Sequence, residues 1–168
     1  MALFGHDRRY VEKRTGHSSQ LGGLKAYTLS EGRAAGIRAV DFRLTSGMEF
    51  TVLLDRGMDI SEARYKGMSL CYRCPSGDAA PGYYDARGAE WLWTFFGGLL
   101  TTCGLTQVGP PNTDGDEELG LHGRISAAPA ERVSLSERWE TDSLRLQVTG
   151  TVREARLFGP ALEMRRTI

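Results

Sequence analysis

An all-β fold, an antiparallel β-sandwich, is what this 168-residue chain predicts. Apolar residues recur with a period of two, glycine-bearing turn signals punctuate the runs, and no helical periodicity separates them. Val40, Phe42 and Leu44 alternate with Asp41 and Arg43, a pattern that buries one face of a strand. Met48, Phe50, Val52 and Leu54 alternate in the same way with Glu49 and Thr51. Ser46-Gly47 between these runs predicts a tight hairpin, and Arg56-Gly57 ends the second strand. Further on, Leu144, Leu146 and Val148 alternate with Arg145 and Gln147, and Gly150 is expected to part that strand from another beginning at Val152. Leu162, Met164 and Ile168 outline a last strand, and the chain stops inside that pattern. The expectation is therefore a sheet edge left open, suited to homo-oligomeric pairing, in the N-terminal portion of a longer protein.

Between about residues 75 and 129 the two-residue rhythm fails. This stretch holds five of the six prolines and nearly half of the glycines, too many for regular sheet. It reads as a long loop-rich excursion with one short helix around Glu90 to Phe96. Residues 1–168 thus form a single β-sandwich domain, or the N-terminal part of a larger one. Long loops carried on a rigid β scaffold are where binding sites concentrate.

Composition excludes several classes. The 21 basic and 21 acidic residues cancel and are spread along the chain, so no field gathers nucleic acid or an anionic membrane surface. The N-terminal run to Gly16 carries His6, Asp7, Arg8, Arg9, Glu12, Lys13 and Arg14, too many polar groups for a signal peptide. No window approaches the roughly 18 to 20 apolar residues of a membrane span, and the expected location is cytoplasmic. Three cysteines, an odd number, predict free thiols. Cys71 and Cys74 form a CxxC, but Cys103 and His122 are the only further candidate ligands and lie far from it, so no metal site is expected. Neither a GxxxxGK[ST] loop nor a GxGxxG after a strand is present.

The functional clue is an aromatic run, Trp91-Leu92-Trp93-Thr94-Phe95-Phe96, which leads through glycine turns to Leu121-His122-Gly123-Arg124. An apolar wall followed by a lone His and an Arg suits a pocket for a neutral, hydroxyl-rich ligand. The candidate substrate-binding residues are His122, Arg124, Arg56 and Trp93. Arg124 could clamp a ligand through its planar fork or pair with an acid of the Asp114 to Glu118 run. Arg56 and Asp59 sit in a glycine-punctuated turn where structural bonding is the first expectation, and Arg56 is retained because strand ends deliver side chains to sites. Of Trp91, Trp93 and Phe96, about one is expected to face ligand and the others the core.

The runs Leu54-Asp55-Arg56-Gly57-Met58-Asp59-Ile60 and Tyr65-Lys66-Gly67, the segment Trp91 through Leu105, and Leu121-His122-Gly123-Arg124 with Pro129-Ala130 together resemble the aldose 1-epimerase (galactose mutarotase-like) family. The resemblance is to its aldose 1-epimerase-like branch of unknown function, and to the N-terminal half only, from roughly Gly36 onward. It implies a galactose mutarotase-like β-supersandwich, a small-molecule sugar as partner, and anomer interconversion by acid/base ring opening with no metal or organic cofactor. By the same resemblance His122 hydrogen-bonds a sugar oxygen near the catalytic acid, while the acid and base themselves are expected beyond Ile168. Two other readings stand beside the isomerase. One is a non-catalytic carbohydrate-binding module. The other is a glycoside hydrolase using Asp55 with Asp59, or Glu90 with an acid of the Asp114 to Glu118 loop.

Overall fold

The computed structural model describes residues 3–168 and is built from antiparallel strands. Strands β1 (Gly22–Thr28), β2 (Arg38–Leu44), β3 (Met48–Leu53), β4 (Asp59–Tyr65) and β5 (Met68–Ser69) form a five-stranded meander in chain order. Two short two-stranded ladders follow. One pairs β6 (Tyr72–Arg73) with β7 (Gly97–Gly98), the other β8 (Asn112–Asp114) with β9 (Glu117–Leu119). The chain closes with a three-stranded meander of β10 (Ala130–Glu140), β11 (Ser143–Ala155) and β12 (Ala161–Thr167), in which β10 and β12 are the outer strands. A short helix, α1 (Arg8–Glu12), precedes the first sheet and is N-capped by the Asp7 carboxylate.

The predicted alternation is what seals the two sheets together. Val40, Phe42 and Val52 from the first sheet, Leu54 just past the end of β3, and Val148 and Val152 from β11 are buried in one cluster with Met58, Ile125 and Ala130. Phe42 and Phe50 are direct cross-strand partners whose rings stack at 4.4 Å. The opposite face of the first sheet is covered too: Ala39 and Leu53 pack with Ile37 and with Phe96 of the loop-rich excursion. That second burial fixes the excursion on the sheet. The predicted hairpin closes with Gly47 at φ +88°, its N–H donating to the Leu44 carbonyl at 3.0 Å.

Gly150 does not end a strand as its sequence context suggests. β11 runs through it unbroken, and the missing side chain makes room for Met58, whose Sδ would lie 2.6 Å from a Cβ at that position. A glycine inside a strand can mark a close approach as well as a turn. Strands β1, β4 and β10 carry no apolar alternation strong enough to announce them. β10 is the extreme case, with two successive charged residues near its start and a register shift between Glu131 and Ser134.

Beside that second cluster, on the same face of the first sheet, the polar side chains have their own order. The Tyr27 hydroxyl and the Thr51 hydroxyl both donate to Asp41 Oδ1, each at 2.8 Å. Burial, reinforced by the Asp41 carboxylate, pushes the Tyr27 phenol from 10.0 up to about 12. A phenol whose pKa is raised on folding favours the folded state fully below pH 10.0 and loses that contribution as pH rises through about 12. Absorbance titration of phenolate should therefore show one tyrosine ionising near pH 12, absent from Tyr27→Phe; a single tyrosine transition near the free value would disprove the network. Gly150→Ala is expected to cost about 1–3 kcal/mol in urea denaturation, because Met58 must leave a filled core site. A change of only a few tenths would show that Met58 repacks freely.

Candidate functional site

The segment Asp55-Arg56-Gly57-Met58-Asp59 joins β3 to β4 and ties the layers together. Asp55 accepts the Arg38 backbone N–H at 2.7 Å and its guanidinium at 2.9 and 2.6 Å, while Arg38 also donates to the Ala130 carbonyl at 2.6 Å. Arg56, 1% exposed, donates to three carbonyls: Ser126 from Nε at 2.6 Å, Ala79 from Nη1 at 2.6 Å and Thr94 from Nη2 at 3.0 Å. Burial lowers its pKa to about 10, opposed by the charges of Asp59 and Asp78, so the side chain is still a cation at neutral pH. Gly57, at φ +62°, donates its N–H to the Ala128 carbonyl, and a Cβ there would stand 2.9 Å from the Ile125 carbonyl oxygen. Asp59, fully buried, accepts the Thr102 N–H at 3.0 Å, the Thr102 hydroxyl, and Arg166 of β12 at 2.9 Å. Burial pushes its carboxyl upward, and Thr102 and Arg166 hold that shift back.

These contacts decide what the motif does. Arg56 is spent on carbonyls of the excursion, and Asp55 and Asp59 are each committed to an arginine. None of the three lines the cavity described next.

That cavity, of about 470 Å³ and open to solvent, is lined by Tyr72, Trp91, Leu92, Phe95, Gly97, Gly98, Thr101, Cys103 and His122. Trp91 stands in a 3-10 turn over Glu90–Thr94, the short helix expected there. Trp91 is 5% exposed, its Nε1–H donates to the Ser126 hydroxyl at 2.9 Å, and Phe95 stacks on its ring at 4.9 Å. His122 meets the Trp91 ring edge-on at 4.8 Å. The backbone of His122 has φ +58°, with its N–H on the Gly109 carbonyl and its carbonyl taking the Gly104 N–H, both at 2.9 Å. Among the described residues no group hydrogen-bonds its imidazole, which leaves both ring nitrogens for a ligand or water. Gly97 and Gly98 form the floor where β7 presses on its neighbours, since a Cβ on either would lie 2.4 Å from the carbonyl oxygen of Tyr72 or Ile60.

Of the four residues singled out in the sequence, the cavity gathers His122 alone. Trp93 is 67% exposed and its carbonyl, rather than its ring, is engaged, by Arg33 at 2.8 Å. Phe96 lies in the core, and Trp91 with Phe95 supplies the aromatic wall. Arg124 turns away to Glu117 at 3.7 Å and Glu154 at 3.8 Å. Tyr72, Thr101 and Cys103 join the lining, although the sequence singled out none of them as a substrate contact. Burial, with the Asp59 charge second, raises the Cys103 thiol, keeping it protonated. Cys71 and Cys74 flank the extended strand β6, a three-residue step of about 10 Å, beyond the reach of about 7 Å between bridged Cα atoms. Among the described residues no three metal-ligating side chains cluster, and no helix is long and apolar enough to cross a membrane.

Residues 34–168 match the family described as domain of unknown function DUF4432, and the chain belongs to that family. No curated protein matches the chain significantly. Its fold is that of a crystal structure described as a candidate aldose 1-epimerase from Klebsiella pneumoniae subsp. pneumoniae MGH 78578, with a TM-score of 0.76 over 89% of this chain at 22% identity. The chain spans 41% of that structure's length.

Arg56→Lys tests the anchoring of the excursion: one ammonium cannot span three carbonyls that point at a planar fork from different sides. The expected loss is about 2–4 kcal/mol in chemical denaturation, with buried carbonyls left unsatisfied. Wild-type stability in the variant would mean that the excursion holds by packing alone.

Proposed function

We propose that this chain holds a free sugar or sugar derivative in the His122 cavity, as the sugar-binding part of an aldose 1-epimerase-like isomerase. The observation that carries the reading is the meeting of an unpartnered imidazole with the Trp91 and Phe95 rings around one open cavity, on a fold shared with a candidate aldose 1-epimerase. Aromatic faces take the C–H surface of a pyranose, and a His at the rim exchanges hydrogen bonds with its hydroxyls. The Thr101 hydroxyl, which donates to the Gly97 carbonyl, keeps its acceptor capacity for the same ligand.

Anomer exchange needs a base at the anomeric hydroxyl and an acid at the ring oxygen. The cavity lining contains no carboxylate. The proposal therefore gives residues 3–168 the task of gripping and orienting the sugar, with His122 bonding an oxygen beside the reacting centre, and gives the proton transfers to an acid and a base outside them. The missing carboxylate equally supports a second reading, a non-catalytic carbohydrate-binding module.

Saturation-transfer NMR against a panel of free aldoses, with anomer-exchange spectroscopy on the same samples, separates these readings. Binding with exchange supports the isomerase, and binding without exchange supports the module. No transfer to any aldose would remove the sugar reading altogether. His122→Asn is the informative variant, because asparagine tolerates the left-handed backbone that an alanine there would strain. It is expected to weaken binding about tenfold, the scale of one lost hydrogen bond. Trp93→Ala should leave affinity unchanged, and an equal loss in both variants would place the sugar elsewhere.

A further inference from the structure

Two residues past His122 a different recess opens, of about 210 Å³, bounded by Glu117, Arg124, Glu154, Ala155, Arg156 and Pro160. Arg124 leads into the 3-10 turn Ile125–Ala127, and Arg156 begins the turn between β11 and β12. Their guanidiniums nevertheless converge on a single oxygen, Glu117 Oε1, which lies 3.7 Å from Arg124 Nη2 and 3.0 Å from Arg156 Nη1. The second acid of the recess is already committed. Glu154, 3.8 Å from Arg124, accepts the Leu105 N–H at 2.6 Å and the Thr106 hydroxyl.

Glu117 reaches the recess from outside the main sheets. It sits on the β8–β9 hairpin, whose strands pair only with each other and whose other acids, Asp114, Asp116 and Glu118, are exposed. Withdrawing Glu117 would leave two planar, always-charged forks facing a concave surface with one carboxylate for company. Paired guanidiniums in that state make a receptor for a carboxylate.

We propose that Arg124 and Arg156 form a binding site for a small carboxylate-bearing ligand, and that Glu117 occupies it as a tethered stand-in until such a ligand displaces it. The carboxylate now in place shows the group the site accepts. Its tether sets the competition: a hairpin anchored on both sides holds Glu117 at high effective concentration, so a free carboxylate binds the native chain weakly.

The test follows the Nε–H resonances of Arg124 and Arg156 by nitrogen-edited NMR of the whole chain during titration with glucuronate, with glucose as the neutral control. Glucuronate should shift both resonances and glucose neither. Glu117→Gln should bind glucuronate about tenfold tighter, and Arg156→Met should lose at least as much affinity, the scale of one charge-assisted pair. Both substitutions fall on side chains that are 29% and 56% exposed, so the fold is expected to hold. Absence of shifts even in Glu117→Gln, equal shifts with glucose, or no gain on removing Glu117 would each overturn the proposal, and tighter binding of inorganic phosphate than of glucuronate would overturn the carboxylate class. His122→Asn should leave this titration unchanged, so the site here and the sugar cavity succeed or fail separately.

Discussion

A charged guanidinium sealed inside the molecule is the constraint on which the rest is arranged. Among the described residues no carboxylate is in direct contact with Arg56; its charge is met by carbonyls of Ala79, Thr94 and Ser126, which belong to three separate parts of the loop-rich excursion. An unsolvated cation is costly, so those carbonyls must be in place whenever the chain is folded. The excursion has little regular hydrogen bonding of its own, and the fork of Arg56 substitutes for a ladder. Asp59 and Arg166 add the matching constraint between the sheets, since β12 of the second sheet reaches the turn that starts β4 of the first.

The His122 cavity depends on this scaffold while sharing none of its charged groups. Thr94, whose carbonyl Arg56 holds, ends the turn that carries Trp91, and the Trp91 indole is braced by the same Ser126 whose carbonyl Arg56 also holds. The wall is thus fixed from behind by ion–dipole contacts, while its face stays apolar. His122 is positioned differently, by backbone bonds to Gly104 and Gly109. This division of labour suits a neutral polyhydroxylated ligand: a strong charge at the cavity would demand solvation, whereas aromatic faces and one imidazole do not. Carboxylate recognition is segregated to the recess of Arg124 and Arg156.

Much of the scaffold was legible in the chain. The alternation at Val40, Phe42, Val52 and Leu54 and at Leu144 to Val148 identified buried faces, because a strand against a core exposes every second residue to the same environment; Leu44, expected on the same buried face, lies at the strand end and is 40% exposed. Glycine was read correctly at Gly47 and wrongly at Gly150, and the difference is physical. At Gly47 the backbone itself takes a left-handed conformation, a local property; at Gly150 the absent side chain accommodates Met58 from the turn between β3 and β4, a contact no local pattern reports. The site was legible only in outline. Its aromatic wall and His122 stood out by composition, yet the assignment of Trp91 and Phe95 rather than Trp93 to the cavity turns on the winding of one 3-10 turn.

By itself the sequence determined the strand faces, the balance of charge, and the concentration of aromatic and glycine residues in one excursion, because each follows from neighbours along the chain. Only the tertiary structure decided which side chains meet: that Arg56 is interior while Arg124 serves a separate recess, that Tyr72, Thr101 and Cys103 share a cavity with His122, and that Arg166 answers Asp59. Burial and pairing of charge depend on residues far apart in sequence, and the free energy of each such group is set by what the fold places beside it.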